Sequence, residues 1–277
     1  MSREIPKRLF MYWADGFDSA PEVVGLAVES WRSFNPDLEI VLLDNSNLRQ
    51  FTSVMDSIPT WNQLRVSHQS DLLRLALLAE HGGFWVDATL FCAAPLEDWL
   101  DFTPETGFVM LKTAKGKNRF TQTFFLGSVP SSWFSVNWLR GLSRILGSNA
   151  RPMTVGTQKR WRRRRPMLWA NPLSTCVWAL LPWVRITGYP YLVAHYVANR
   201  LILTRPKGAR TYRRDASVLA GEALHLQDTP DGASRFQESL RRGEFPIWKF
   251  SWRVDLSPEY WNDVFHVART YLRDKTS

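Results

Sequence analysis

Two short segments carry the residue types that could do chemistry. In Ser70-Asp71-x-x-Arg74 a carboxylate and a guanidinium stand three positions apart, on one helical face near the expected helix N-terminus. Such a face offers an acceptor for hydroxyls and a forked cation for phosphate or sugar oxygens. The second segment is His81-Gly82-Gly83-Phe84-Trp85-Val86-Asp87-Ala88-Thr89. It reads as a helix stop at the glycines, a short strand, then an acidic turn. Ligands of open α/β sheets bind outside the carboxyl ends of strands, where Asp87 falls. A carboxylate there can hold a divalent cation that bridges two phosphates. Taken singly, each piece has a plain structural meaning: an ion pair three residues apart, or an aspartate that forms a turn. Only the ordered combination is specific.

The elements around these segments predict an α/β protein. Lys7 to Trp13 reads as a strand and Leu38 to Leu43 as another, which puts Asp44 at a second strand end. Between them Val23, Val24, Ala27, Val28 and Trp31 recur at helical spacing, with Ser19 as a cap and Pro21 in the first turn. Strand, helix, strand in that order predicts parallel pairing. A helix is expected over 72–80 with Ser67 to Asp71 leading into it. Strands are expected at Phe108–Leu111, Phe124–Gly127 and Ala223–Leu226, and a helix over 132–145. His68 and His81 are read as loop or cap residues, and His195 as a core histidine in an apolar helix.

Composition narrows the class. The chain has 277 residues, 45% hydrophobic and 22% charged, a globular profile with enough length for a large core. Its two cysteines, Cys92 and Cys176, exclude a disulfide framework and a cysteine-cluster zinc site and fit a reducing compartment. Met1 to Arg8 is too polar for a secretory signal. There is no phosphate-binding loop, no dinucleotide glycine fingerprint and no G-x-S-x-G elbow.

The net charge of +9 is unevenly spread. Residues 151–214 hold 14 Lys or Arg and no Asp or Glu, while the rest holds 21 basic and 26 acidic residues. A local anionic surface is therefore the expected partner. The run Lys159-Arg160-Trp161-Arg162-Arg163-Arg164-Arg165 precedes a stretch to Asn199 whose only formal charge is Arg185. Arginines beside tryptophans suit a membrane interface. The uncharged stretches 167–184 and 186–199 are interrupted by prolines and polar residues or too short for a span, which needs about 20 apolar residues. A surface or re-entrant contact is expected instead. No nucleic-acid module is recognised.

The motifs together resemble the capsular polysaccharide synthesis proteins, a group close to glycosyltransferase family thirty-two. The matching residues are Ile5-Pro6-Lys7 with Trp13, Trp31, Asn35-Pro36, Leu42-Leu43-Asp44, Ser70-Asp71 with Arg74, and Gly82 to Thr89 followed by Pro95-Leu96. They cover about residues 5–100, with isolated pieces at Tyr191 to His195, His225 and Lys249 to Trp252. The resemblance implies a GT-A type, Rossmann-like mixed sheet carrying a helical, basic and Trp-rich insertion. Residues 1–150 would form the nucleotide-sugar-binding core, 151–214 a membrane- or acceptor-facing insertion, and 215–277 the part completing the active site.

The resemblance also implies roles. Trp13 would stack on the donor nucleobase and Asp44 would lie near the nucleoside. Asp71 and Arg74 would hold the donor sugar, with Gly83 at the same site, and Asp87 would open a DxD motif. Lys249 and Trp252 would close over the diphosphate. Mn2+ or Mg2+ would be held by Asp87, Thr89 and His225. Thr89 departs from the motif, since it offers a neutral hydroxyl where many relatives have a second acid. The implied activity is transfer of a sugar, retaining in stereochemistry as in the nearest relatives, from a UDP-linked or related donor. The acceptor would be a capsular or surface glycan, free or linked to polyprenyl diphosphate, at the cytoplasmic face of the inner membrane. An inactive assembly protein on the same fold, or a protein-modifying transferase, is the alternative.

Overall fold

The structure, a computed structural model, describes residues 4–113, 118–148, 151–154, 159–160, 163, 172–173, 175, 188–217, 232–250 and 258–276. In chain order the elements begin with strand β1 (Arg8–Tyr12), helix α1 (Glu22–Phe34), β2 (Glu39–Leu43), α2 (Val66–Glu80), β3 (Gly83–Val86), β4 (Leu90–Cys92) and β5 (Phe108–Lys112). They continue with β6 (Thr121–Ser128), α3 (Trp133–Leu146), α4 (Val193–Thr204), α5 (Pro206–Arg214), β7 (Ala216–Ser217), α6 (Gly232–Arg242), β8 (Ile247–Lys249) and α7 (Pro258–Thr276). The chain divides into two compact units, each discontinuous in sequence. One comprises Met1–Pro6, Asn47–Trp85 and Thr103–Val218; the other Lys7–Ser46, Val86–Phe102 and Leu219–Ser277.

The first unit is built on α2. Leu72, Leu73, Leu75, Ala76, Leu77 and Leu78 are all fully buried. A helix that is apolar all round must be a core helix rather than a surface one. It packs against α3. The strands of this unit run in the order β3-β6-β5-β7, with β5 antiparallel to β6 and parallel to β7. Phe108, Phe134 and Trp138 form an aromatic cluster, with Phe108 and Phe134 centroids 4.9 Å apart. Ser132 caps α3 by accepting from the Ser135 amide.

The glycine pair does what its position requires. Gly82 has φ of 69° and Gly83 of 89°, and the Gly82 N–H bonds to the Leu78 carbonyl at 3.1 Å to close α2. A Cβ on Gly82 would stand 2.6 Å from Pro130 Cδ and 2.9 Å from the Ser128 carbonyl oxygen. The site thus demands glycine twice over, by backbone angle and by space.

The second unit opens with the expected β-α-β run. Strands β1 and β2 pair in parallel, Arg8 with Glu39 through Tyr12 with Leu43. α1 buries Val23, Val24, Ala27, Val28 and Trp31, the residues its periodicity singles out. β4 pairs antiparallel with β8, and Phe91, Phe236, Trp248 and Phe250 pack edge-on or tilted around them. The mixed α/β class expected from the sequence is the one observed.

Three local expectations are corrected. α2 begins at Val66, not Leu72, because Arg65 is the extended residue before it. Asp71 and Arg74 are therefore inside the helix rather than at its start. Ser19 does not cap α1: its hydroxyl donates to the carbonyls of Asp15 and Gly16, and Pro21 is the capping residue. His68 is neither loop nor cap, but is wholly buried in α2. Its ring meets Tyr189 edge-on at 5.2 Å, and its Nε2 lies 3.3 Å from the Tyr191 carbonyl oxygen. The expected strand at 223–226 and most of the Arg- and Trp-rich run lie outside the described residues. Among the described residues no helix is long and apolar enough to cross a membrane.

Burial of His68 has a measurable consequence. Desolvation pushes its imidazole down to about 4, against a slight opposing pull from the Tyr191 carbonyl. The unfolded chain, with an ordinary histidine, then binds more protons than the folded one between pH 6.5 and 4. Stability is complete above pH 6.5 and falls as pH drops toward 4, by on the order of 3 kcal/mol in total. Denaturant unfolding at pH 7.5 and pH 5.5 should show this slope in the wild type and a shallower one in His68→Phe.

Candidate functional site

β3 ends at Val86, where the chain passes into the second unit, and Asp87-Ala88-Thr89 turns back through a bond from the Leu90 N–H to the Asp87 carbonyl of 2.8 Å. The register of β4 on β8 sets Leu90 opposite Lys249. The Phe250 N–H continues that pairing onto the Thr89 carbonyl at 2.9 Å. Lys249 is thereby delivered to the turn from far along the chain. Its ammonium donates to Asp87 Oδ2 at 3.0 Å and to Thr89 Oγ1 at 2.7 Å. The Lys249 side chain is 17% exposed and that of Asp87 26% exposed, so the pair is partly shielded but open to a ligand.

The turn is held from behind by α1. Trp31 Nε1 donates to the Leu90 carbonyl at 2.7 Å, and the Ser30 hydroxyl accepts from the Cys92 N–H at 2.9 Å. The Asn35 carboxamide oxygen accepts from the Leu96 N–H at 2.7 Å. Trp31 and Asn35 belong to the matching motif, yet the sequence assigns them no role. Their work is to position the strand after Asp87, which only the tertiary contacts reveal. Trp31→Phe removes a buried donor and leaves the Leu90 carbonyl unpaired, so denaturant unfolding should show a loss of about 1–3 kcal/mol.

Trp13 and Asp44 meet at the carboxyl ends of β1 and β2. Tyr12 pairs with Leu43 in register, so these are the next residues on neighbouring strands. The Trp13 N–H bonds to the Leu43 carbonyl at 2.9 Å. Asp44 Oδ1 accepts from the Ser46 N–H at 2.7 Å and from the Ser46 hydroxyl at 2.5 Å, which fixes the carboxylate beside the strand end. Tyr12, bonded to Asn45 at 2.8 Å, has its phenol pushed up to about 12 by burial and by the nearby Asp15 and Asp44.

Asp71 and Arg74 meet in the first unit. Both are buried, at 8% and 5% exposure. Arg74 donates from Nε to the Ser70 carbonyl at 3.1 Å, from one terminal nitrogen to the Thr123 carbonyl at 2.5 Å, and from the other to the Ser70 hydroxyl at 3.0 Å. That second nitrogen is also 3.3 Å from Asp71 Oδ1, and the guanidinium lies over the Trp85 ring at 5.2 Å. Of its five N–H donors, three bond to the protein and a fourth faces Asp71, so most of the fork is engaged by the protein itself. The sequence casts Arg74 as a grip on donor oxygens, whereas its geometry fits a residue that holds Asp71 in place. Gly83 contributes a backbone bend at the start of β3. His225 and Trp252 lie outside the described residues.

Around Asp87 the described groups that could bind a divalent cation are few. One carboxylate and one neutral hydroxyl stand together, and a single ammonium engages both. No group of three His, Cys, Asp or Glu that could hold a metal ion occurs among the described residues. Magnesium and manganese want several oxygen ligands with at least one or two carboxylates free to bind. In this arrangement the Lys249 ammonium engages both described residues, Asp87 and Thr89, that would hold a cation.

An α/β protein with an acid-and-lysine cluster at the end of β3 is a class that many enzymes share. Comparison with known proteins narrows it. Residues 1–138 match the family model described as "Capsular polysaccharide synthesis protein", and over that half the chain belongs to that family. A curated protein from Annulohypoxylon truncatum, "O-glycosyltransferase braB", is 30% identical over 109 residues, which cover 33% of this chain and 25% of that protein. The chain thus matches about a quarter of the length of that relative. Among solved structures, "PaToxG Glycosyltransferase" is similar at a TM-score of 0.43 and 13% identity, covering 98% of this chain and 87% of that one. The apo form of the glycosyltransferase GlyE of Streptococcus pneumoniae TIGR4 is similar at 0.46 and 10% identity, covering 96% and 62%.

Proposed function

We propose that the chain is a GT-A type glycosyltransferase that moves a sugar from a nucleotide donor, UDP-linked in our reading, to a capsular or surface glycan. The observation that carries the proposal is the Asp87, Thr89 and Lys249 cluster, formed in a chain whose first half belongs to the capsular polysaccharide synthesis family. Residues 1–150 would supply most donor contacts, 151–214 the acceptor or membrane side, and 215–277 the lysine that completes the site.

The chemistry follows from the groups. A nucleoside diphosphate leaves with two negative charges that must be stabilised as the glycosidic bond breaks. Lys249 uses two of its N–H donors on Asp87 and Thr89, and an ammonium has three. The third is available to a diphosphate oxygen, with Asp87 and Thr89 fixing its direction. Asp87 would also accept from a ribose or sugar hydroxyl. Trp13 offers an aromatic face for the base, Asp44 an acceptor near the nucleoside, and Asp71, held by Arg74, an acceptor for the donor sugar. The stereochemistry we propose is retention. The acceptor we propose is a lipid-linked glycan, reached through peripheral association of the basic segment with an anionic cytoplasmic leaflet.

The test is donor turnover. Purified protein should release UDP from one or more of a panel of UDP-sugars, and Asp87→Asn should lower that rate by about 10²-fold. Wild-type protein that turns over no nucleotide sugar of any base would refute the reading and favour an assembly role.

A further inference from the structure

We propose that the first unit holds a second anion site, a cavity between α3 and the junction of α4 with α5 that takes the phosphate or diphosphate head of a lipid. The cavity measures about 580 Å³. Arg140 and Arg144 reach it from α3, Arg200 from α4, and Arg205 and Lys207 from the junction. Its lining contains no aspartate or glutamate. None of the five cations is within ion-pair distance of a carboxylate among the described residues; Arg140 has only a 3.4 Å contact with the Asn137 carboxamide oxygen. Arg210 and Arg214, on the same α5, pair instead with Glu105, so the missing counter-charge is a property of the cavity and not of the whole unit.

The walls say more about the ligand. Trp133, Gly141, Val197 and Leu201 give the cavity an apolar side. The helices come close here: a Cβ on Gly141 would stand 2.7 Å from Val197 Cγ1, and Trp138 Nε1 bonds to the Ala194 carbonyl at 2.8 Å. The cavity is therefore framed by fixed backbone. Pro206, another lining residue, is the first residue of α5, so the positive end of that helix opens onto the same space.

Five like charges held around one concavity repel one another, and an anion relieves that repulsion. Arginine forks bind phosphate oxygens in pairs. Inorganic phosphate would satisfy the cations but leave the tryptophan and aliphatic wall uncovered. A phosphate or diphosphate esterified to an apolar chain covers both, and this selects the lipid-borne form. None of Asp87, Thr89 and Lys249 lines the cavity, and its ligand is set by its charges and apolar wall, not by sugar transfer.

The test is calorimetric titration of the full chain with farnesyl diphosphate, and separately with inorganic pyrophosphate, at two salt concentrations. Farnesyl diphosphate should bind at least tenfold more tightly than pyrophosphate. The double variant Arg144→Ala, Arg200→Ala should weaken it tenfold or more. Arg241→Ala, Arg242→Ala removes the same charge from α6, where both arginines pair with Glu238, and should leave binding unchanged. Circular dichroism checks that both variants fold. Equal losses in the two double variants, or no binding of farnesyl diphosphate, would overturn the site. Pyrophosphate binding as tightly as farnesyl diphosphate would overturn its assignment to a lipid.

Discussion

Lys249→Ala should lower donor turnover by about 10²- to 10³-fold, the usual cost of removing one donor from a site where charge develops. Two effects add in the same direction. The variant loses the N–H that we assign to the diphosphate. It also uncovers the Asp87 carboxylate that the ammonium now neutralises at 3.0 Å, and a bare carboxylate repels the diphosphate. Asp87 with Lys249 is neutral overall, one charge less positive than a carboxylate with a divalent cation would be. The site therefore has no positive charge to spare, and losing Lys249 leaves it negative. The repulsion can be separated from the lost donor. Adding Asp87→Asn to Lys249→Ala should recover part of the nucleotide affinity, because the unpaired charge is gone. A double variant no better than the single one would mean that Asp87 does not face the nucleotide.

The second large effect is on folding. Arg74→Ala leaves Asp71, only 8% exposed, without the guanidinium 3.3 Å away. It also strips partners from the Thr123 carbonyl and the Ser70 hydroxyl. Removing one member of a buried ion pair costs about 3–5 kcal/mol, because the remaining charge loses its counter-ion. Chemical denaturation should show a loss of that size, and Arg74→Lys should recover little of it. A lysine is a point charge and cannot make the three-way fork. The double variant Arg74→Leu, Asp71→Leu should be more stable than Arg74→Ala, since it removes both charges and refills the volume. Such a variant would be folded yet lack the acceptor we assign to the donor sugar, which separates structural from functional loss. Arg74→Ala that unfolds like the wild type would contradict the buried-pair reading.

What the sequence carries and what it hides follow from the range of the interactions. The β-α-β run at the start is legible because aromatic- and apolar-rich strand segments, helical spacing and the Asn35-Pro36-Asp37 break are local signals. So are the paired glycines, whose positive φ values no other residue adopts cheaply. The start of α2 is less legible. Arg65 carries no capping side chain, and the polar residues Ser67 to Asp71 look like a lead-in when they are already helical. The burial of α2 on every face follows from packing, which a pattern of amphipathicity does not report. At the site, Asp87 is visible as the acid that ends a strand. Its bond to Lys249 joins residues 162 apart in the chain and depends on the β4–β8 register, which no local spacing encodes. The same holds for Arg74: the residue is conspicuous in the sequence, but its commitment to Thr123 and Trp85 appears only once β6 and β3 are beside α2. The basic character of 151–214 is plain from composition. The cavity that gathers some of those charges also needs Arg140 and Arg144 from α3, outside that segment.

The most direct measurement is calorimetric titration of UDP into the wild type, Asp87→Ala and Lys249→Ala, each in EDTA and again with manganese. The account predicts that wild type binds UDP in EDTA, with the heat lost in Lys249→Ala. UDP binding that requires manganese and is indifferent to Lys249, or no UDP binding in either condition, would contradict it.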